Sequence, residues 1–264
     1  MNDELAISLF QLDLYWEDIE ANLAQFEEHI WQIDGKTDII VLPEMFTTGF
    51  TMQPELVSEP MNGKTFRWMK QISAQTDALV IGSYVIKENQ QYYNRLFAVR
   101  PDGSYEKYDK RHLFLGGEDK HYSGGKERLL INWRGWNILP LICYDLRFPV
   151  WSRNQKAGSD EHEYDLMVYI ANWPAARIYA WTTLLKARAI ENQSYCVGVN
   201  RIGKGGNKLD YTGQSAIYDY LGQDVCQLED HATVETVRVS KADMQKFQQS
   251  FTFQKDGDGF DIHF

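Results

Sequence analysis

The chain has 264 residues, of which 44% are hydrophobic and 24% charged, a composition typical of a globular protein with its own core. Its formal net charge of −10 disfavours nucleic acid and anionic membranes as partners, because both repel an acidic surface. No apolar run approaches the length of about 18 residues that a membrane span needs. The start of the chain also lacks the basic segment of a signal peptide, so we expect a cytoplasmic protein.

Three cysteines, Cys143, Cys196 and Cys226, cannot all pair with one another, and none belongs to a Cys-x-x-Cys motif. We therefore expect free thiols in a reducing compartment. Cys196 and Cys226 lie within apolar strand patterns and are interpreted as structural.

The first third of the chain alternates between strand and helix patterns. The stretch "LAISLFQLDL" predicts a first strand, and "DIIVLPE" has the continuous apolar run of a strand buried on both faces, which ends at Glu44. A second helix is predicted over Thr65–Gln75 and a strand over Ala78–Ile86. Between the first two strands, steps of three and four residues predict an amphipathic helix that ends before Gly35 and whose apolar face consists of Ile19, Leu23, Phe26, Ile30 and Ile33.

The middle and end of the chain contain hairpin patterns as well. The strands "YYNRLFAV" and "SYEKYDK" flank the turn Pro101-Asp102-Gly103, and "WNILPLIC" predicts a strand followed by a short helix near Pro149. Further strands are predicted in "DLMVYIAN" and "YCVGVN", and two more around Leu221-Gly222. Between "DLMVYIAN" and "YCVGVN" a helix is predicted, one face of which is marked by Ala180, Leu184, Ala187 and Ile190.

Repeated strand–helix–strand units predict an α/β fold with a largely buried sheet. No linker-like stretch or composition break divides the chain, and no short-period repeat is visible. We therefore expect a single domain over residues 1–264, with a C-terminal tail from about residue 240.

Three reactive side chains follow predicted strands: Glu44, Lys110 and Cys143. In open α/β sheets, ligands bind beyond the carboxyl ends of the strands. Taken singly, a solvated glutamate, a surface lysine and a small core thiol would each be ordinary. Taken together they are complementary, because a carboxylate can accept the thiol proton and an ammonium can stabilise negative charge. The three residues therefore predict acyl transfer without histidine.

The stretches around these residues, "VLPEMFTTGF", "YDKRHLF" and "ICYDLRFP", resemble the three motifs of the nitrilase superfamily, the carbon–nitrogen hydrolases, and occur in the same order. The stretch "ANWPAARIYAWTTLLKARAIENQSYCVGVNRIG" is similar to the downstream region of that family, so the resemblance covers most of residues 5–240. It implies a four-layer α-β-β-α sandwich that forms homodimers or higher oligomers.

The resemblance also implies roles for individual residues. Cys143 would be the nucleophile, Glu44 the general base and Lys110 the cation beside the oxyanion. The backbone N–H of Tyr144, just after the nucleophile, would be a second donor to that oxyanion.

A second glutamate of the family lies between the lysine and the cysteine. Glu118 in "FLGGEDKHYSGG" fits its spacing best, and Asp119 and Glu127 are the alternatives.

Residues near these motifs are candidates for substrate binding. Phe46 and Trp173 would line a pocket, although aromatic residues more often belong to the core. Arg177 could bind a substrate carboxylate through two parallel hydrogen bonds, or it could be a surface arginine at a helix start. Asp145 and Arg147 are interpreted as a structural ion pair that holds the turn after Cys143.

Other features are interpreted without a catalytic role. His112 and His121 are expected to be loop histidines rather than members of a Cys–His pair, and Arg188 with Glu191 forms a structural ion pair at i, i+3. No two histidines have zinc-helix spacing, so we expect neither a metal nor an organic cofactor. "GKGGNK" is predicted to be a mobile loop and "DGDGFD" a turn-rich tail.

Within the superfamily, "CYDLRFPVWSRN" and "ANWPAAR" most resemble the omega-amidase branch. That branch hydrolyses the terminal amide of small 2-oxo acids, such as 2-oxoglutaramate and 2-oxosuccinamate. The alternatives are a deaminated-glutathione amidase, an N-carbamoyl amidase or a nitrilase. A non-catalytic dimeric scaffold of the same fold is disfavoured, because all four candidate catalytic residues are present.

Overall fold

The computed structural model describes residues 3–154 and 162–262, and two six-stranded sheets lie at its centre. The predicted tail extends to residue 264, so its last two positions lie outside the described residues. In chain order, the strands are β1 Glu4–Gln11, β2 Ile39–Val41, β3 Leu79–Glu88, β4 Gln91–Val99, β5 Tyr105–Asp109, β6 Ile131–Trp133, β7 Trp136–Ile142, β8 Leu166–Ala171, β9 Tyr195–Asn200, β10 Ile202–Lys204, β11 Asp210–Thr212, β12 Ala216–Tyr218, β13 Asp224–Gln227 and β14 Thr233–Ser240.

The α-helices are α1 Ile19–Ile30, α2 Pro54–Val57, α3 Lys64–Thr76, α4 Glu118–His121, α5 Ile178–Asn192 and α6 Lys241–Ser250. The first sheet has the strand order β14-β1-β2-β3-β4-β5, and the second has β13-β12-β9-β8-β7-β6. Strands β1, β2 and β3 run parallel, as do β7, β8 and β9. Their carboxyl ends therefore lie at one edge of each sheet.

Alternation along the strands of the first sheet separates two layers of the core. In β1, Leu5, Ile7 and Leu9 join the cluster shared with the second sheet, whereas Phe10 joins a cluster with α1 and α3. The same period of two places Ile39 and Val41 of β2 between the sheets and Ile40 on the outer side. Both faces of the sheet are therefore buried, which explains the continuous apolar run of β2.

Helices cover the outer face of each sheet. Leu23 and Phe26 of α1 and Met69 of α3 pack on the first sheet. Trp181 and Leu185 of α5 pack on the second, where the bare backbone of Gly198 leaves room for both side chains. The architecture is the four-layer α-β-β-α sandwich that the resemblance to the nitrilase superfamily implies. None of the helices within the described ranges is long and apolar enough to cross a membrane.

The predicted face of α5 is only partly buried, with Ala180 and Leu184 packed against the core. Its fully buried apolar residues are Trp181, Leu185 and Ala189, whereas Ile190 is 47% exposed. Both sides of this helix carry apolar residues, so periodicity alone does not indicate which side packs on the sheet. On the outer side, Tyr179 is 82% exposed.

Several elements were not predicted. Edge strands β14 and β6 are short or carry charged residues, which weakens their apolar pattern. The stretch predicted to be a mobile loop, "GKGGNK", contains the end of β10 and part of the connection to β11, in which the Gly205 N–H donates to the Leu209 carbonyl at 2.9 Å. The predicted tail begins with α6, whose N-terminus is capped by Ser240.

Candidate active site

The ends of β2, β5 and β7 bring Glu44, Lys110 and Cys143 together. The Lys110 ammonium lies 2.7 Å from Glu44 Oε1, and both side chains are fully buried. Cys143 is half-buried and lines a cavity that Lys110 also lines. The strand-end positions in the sequence thus converge on one site, as the parallel arrangement of β2 and β7 within their own sheets requires.

Cys143 begins a 3-10 helix over Cys143–Arg147, immediately after β7. Its φ of +45° lies in the left-handed region, which costs a non-glycine residue about 1 kcal/mol or more. The sharp change of direction turns the thiol out of the sheet and towards Lys110. The short helix predicted near Pro149 is present as a second 3-10 helix, Pro149–Ser152.

Glu118, the first residue of α4, lies on the other side of Lys110. Its Oε1 and Oε2 atoms are 3.0 Å and 2.8 Å from Lys110 Nζ. The alternatives Asp119 and Glu127 are exposed, and no ion pair joins either to Lys110 in the described parts of the chain. Lys110 is therefore held between two buried carboxylates.

Two asparagines that the sequence analysis missed complete the hydrogen bonding of Glu44. Asn94 Nδ2, from β4, donates to Glu44 Oε1 at 2.8 Å and to Glu118 Oε1 at 3.2 Å. The Asn172 backbone N–H donates to Glu44 Oε2 at 2.8 Å, and its Nδ2 donates to the Glu44 carbonyl at 2.5 Å. Asn172 follows β8, so its strand-end position was the available signal.

Burial and neighbouring charges set the protonation of these groups. Burial alone would lower the pKa of Lys110, but the carboxylates of Glu118 and Glu44 raise it above its ordinary value. Burial, reinforced by Glu44 and opposed by Lys110, raises the pKa of Glu118. Burial also raises the pKa of the Cys143 thiol well above its ordinary value, and the charge of Glu44 adds to this effect. The resting thiol is therefore protonated at neutral pH, and it needs a base to become a nucleophile.

The cavity above Cys143 has a volume of about 400 Å³. No aspartate or glutamate is among the described residues that line it, although the chain contains 37 acidic residues. Two arginines do line it: Arg147 packs over the Trp173 ring at 4.8 Å, and Arg177 packs over the Phe114 ring at 5.3 Å. Neither guanidinium is ion-paired within residues 3–154 and 162–262. The remaining lining residues are Trp16, Phe50, Thr51, Met52, Gln53, Lys110, Gly116, Cys143, Tyr144, Asn172, Pro174, Gly206, Asn207, Leu209 and Tyr211.

Three of the four predicted substrate-binding residues, Tyr144, Trp173 and Arg177, line this cavity. The fourth prediction is wrong, because Phe46 is fully buried in the outer core. Its ring packs against those of Phe26, Trp68 and Tyr84, and it fits over Gly82 of β3, which has no side chain. Phe50, from the same stretch, is the aromatic residue that reaches the cavity.

The predicted ion pair between Asp145 and Arg147 is also wrong. Asp145 bonds to His112, whereas Arg147 packs over Trp173. In a 3-10 helix, residues two apart project in different directions. The other predicted pair, Arg188 with Glu191, is present at 2.9 Å. Among the residues that the structure describes, no group of three or more His, Cys, Asp or Glu side chains is placed to hold a metal ion.

This arrangement suits attack of a thiol on a planar carbonyl carbon. A buried carboxylate is available as the proton acceptor, and a permanently charged ammonium is available beside the developing oxyanion. The apolar walls and two free guanidinium groups suit a small substrate that carries a negative charge.

Comparison with known proteins identifies relatives that are amidases or carbon-nitrogen hydrolases. The sequence profile of the carbon-nitrogen hydrolase family matches residues 6–249. The omega-amidase YafV of Yersinia enterocolitica is 45% identical over 97% of this chain and 98% of its own length. The 2-oxoglutaramate amidase of Bacillus subtilis is 32% identical over 82% of this chain and 83% of its own. The crystal structure of XC1258 from Xanthomonas campestris, a CN-hydrolase superfamily protein with an arsenic adduct in its active site, is 40% identical over 98% of this chain and 99% of its own, with a TM-score of 0.96.

Proposed function

The chain belongs to the carbon-nitrogen hydrolase family, and from this premise we propose that it is an amidase that hydrolyses the terminal amide of small 2-oxo acids, such as 2-oxoglutaramate and 2-oxosuccinamate. The products are the corresponding dicarboxylic 2-oxo acid and ammonia. The observation that carries the proposal is the half-buried Cys143 thiol, at a cavity without acidic lining residues, beside the Glu44–Lys110 pair. The relatives named omega-amidase and 2-oxoglutaramate amidase support this choice of substrate.

In the first half-reaction, Glu44 accepts the thiol proton as Cys143 Sγ attacks the amide carbon. The carbonyl oxygen becomes an oxyanion, which Lys110 Nζ and the Tyr144 N–H stabilise. The protonated Glu44 then transfers its proton to the amide nitrogen, the carbon–nitrogen bond breaks, and ammonia leaves. The acyl group remains on Cys143 as a thioester.

In the second half-reaction, Glu44 accepts a proton from water, and the resulting hydroxide attacks the thioester carbon. The same oxyanion donors act again. The carbon–sulfur bond breaks, the acid leaves, and the proton on Glu44 returns to the sulfur. Asn94 contacts Glu44, and Glu118 contacts Lys110. We therefore propose that Asn94 and Glu118 orient the Glu44–Lys110 pair.

The positive side chains at the cavity support the proposal of an anionic substrate. Arg147 and Arg177 lie at the cavity without a carboxylate partner in the described part of the chain, so each guanidinium can bind the substrate carboxylate. A neutral 2-oxo group beside the bound carboxylate is not repelled by these arginines, whereas the ammonium that an amino acid amide carries on the same carbon would meet a like charge. This contrast separates 2-oxo amides from their amino acid counterparts.

We therefore expect kcat/KM for 2-oxoglutaramate and 2-oxosuccinamate to exceed that for glutamine and for a simple aliphatic amide. The measurement is ammonia release at matched substrate concentrations. The Arg177→Gln variant is the matched control: it is expected to lower kcat/KM for the 2-oxo acids while leaving that for the neutral amide nearly unchanged. Equal rates for glutamine or the aliphatic amide in the wild type would contradict the choice of substrate but not the chemistry of Cys143.

We also propose a cytoplasmic homodimer that pairs through the helical layer formed by α5. The support is the apolar outer side of α5, where Tyr179 is 82% exposed and Ile190 47% exposed. Light scattering is expected to give the mass of a dimer for the wild type and of a monomer for Tyr179→Asp. Trp31→Asp, at the end of α1 in the other helical layer, is the control and is expected to remain dimeric. A monomeric wild type would contradict the proposal.

A further inference from the structure

A second buried cluster joins the lysine segment to the nucleophile segment without touching the cavity. Its centre is Asp145, which is fully buried and lies two residues after Cys143. Asp145 Oδ2 accepts from the Tyr108 hydroxyl at 2.8 Å and from the Ile142 N–H at 3.0 Å. Asp145 Oδ1 accepts from the backbone N–H of His112 at 3.0 Å and from its Nδ1 at 2.8 Å.

The hydrogen-bond partners of Asp145 come from the two segments that carry Lys110 and Cys143. Tyr108 and His112 lie two residues before and two residues after Lys110, while Ile142 and Asp145 enclose Cys143. One carboxylate thus joins the end of β5, in the first sheet, to the end of β7, in the second. The Trp151 indole N–H donates to the Tyr108 hydroxyl at 2.9 Å, which extends the link to the next 3-10 helix.

The His112 ring has a fixed orientation. It stacks on Phe148 with a centroid distance of 3.8 Å and an interplanar angle of 8°. Neither His112 nor its partner Asp145 is among the residues that line the cavity. Neither residue can therefore reach a substrate bound above Cys143.

We infer that Asp145 is a positioning residue, which holds the strained turn of Cys143 in register with Lys110 and uses His112 as a hydrogen-bond donor rather than as a base. The inference deepens the proposed function and rests on it for the roles of Cys143 and Lys110. The strained backbone at Cys143 requires hydrogen bonds such as those of Asp145, because a left-handed cysteine persists only where its surroundings fix its conformation.

The first test is Asp145→Asn, which preserves shape but turns an NH₂ group towards two donors. We expect kcat for 2-oxoglutaramate to fall about 10²-fold, the cost of a small misplacement of reacting groups, with KM nearly unchanged. Alkylation of Cys143 by iodoacetamide, followed on the Cys143 peptide by mass spectrometry, is expected to slow as well. A variant that unfolds at lower denaturant but keeps the wild-type kcat and alkylation rate would overturn the inference.

The second test keeps the inference falsifiable if Asp145→Asn does not fold. His112→Asn places an amide donor near the position of Nδ1, whereas His112→Leu removes the donor and keeps similar bulk. We expect His112→Asn to retain most of the alkylation rate and kcat, and His112→Leu to lose both. Equal loss in the two variants would show that the imidazole itself acts, and would overturn the inference. The alkylation rates need no substrate, so they test Asp145 even if 2-oxo amides are not hydrolysed.

Discussion

Cys143→Ala is expected to fold normally and to have no measurable amidase activity. Loss of the nucleophile in a hydrolase with a covalent intermediate costs about 10⁶-fold in kcat. The free energy of unfolding should change little. Cys143 is only half-buried, and the left-handed backbone conformation at this position is as unfavourable for alanine as for cysteine. The measurements are ammonia release from 2-oxoglutaramate and the denaturant midpoint of unfolding.

Cys226→Ala is the control for this experiment, because Cys226 is also half-buried but lies on the edge strand β13. It is expected to retain wild-type activity. Intact-protein mass spectrometry of the wild type, quenched during turnover, should detect the acyl group on Cys143 and on neither Cys196 nor Cys226. Hydrolysis by Cys143→Ala at a near-normal rate would refute the assignment of the nucleophile.

Lys110→Met and Glu44→Gln are expected to fail in different ways. Glu44→Gln removes the proton acceptor of both half-reactions, so neither acyl transfer to Cys143 nor its hydrolysis proceeds at a useful rate. Lys110→Met removes the charge beside the oxyanion, a loss of about 10²–10³-fold in kcat for a single oxyanion donor. Turnover and quenched acyl-enzyme, measured for each variant, separate the two effects. Near-normal turnover by Lys110→Met would contradict the role assigned to Lys110.

A stability effect accompanies the loss of Lys110 and must be separated from it. Removing the ammonium leaves Glu44 and Glu118 buried without a cation, which typically costs about 3–5 kcal/mol in the free energy of unfolding. The double variant Lys110→Met/Glu118→Gln restores the net charge of the wild-type cluster. We expect it to recover much of the stability and none of the activity. Recovery of activity in the double variant would mean that Lys110 acts only by neutralising Glu118.

Local pattern was sufficient to predict the strand ends that carry Glu44, Lys110 and Cys143. Apolar runs bounded by charged residues mark the ends of β2 and β7, whereas the Pro101-Asp102-Gly103 turn signal locates β5 and the antiparallel neighbour β4 returns its end to the same edge of the sheet. Asn94 and Asn172 were not predicted, because an asparagine in a sequence does not by itself indicate a role in catalysis. Their value comes from a fold that brings the Asn94 side-chain amide and the Asn172 backbone N–H to one carboxylate, that of Glu44.

Two wrong predictions, Phe46 at the cavity and the Asp145–Arg147 ion pair, share a cause: sequence spacing does not fix the direction of side chains across an irregular segment. Phe46 follows Met45, whose φ of +43° changes the course of the chain after β2, and the ring turns into the outer core. Arg147 follows Asp145 by two residues in a 3-10 helix, and the two side chains project in different directions. Asp145 bonds to His112, whereas Arg147 packs over the Trp173 ring. The apolar residues on both sides of α5 left its orientation undetermined until the position of Gly198 was known.

The division of the site between two sheets has a consequence for how the protein reaches its working state. Glu44, Asn94 and Lys110 come from the first sheet, and Cys143 and Asn172 from the second. The catalytic groups therefore meet only when the apolar core that the two sheets share has formed. During refolding, turnover is expected to recover no earlier than the packing of that core, and loosening of the core should lower turnover. Ammonia release is accordingly a sensitive reporter of whether the two halves of the sandwich have docked.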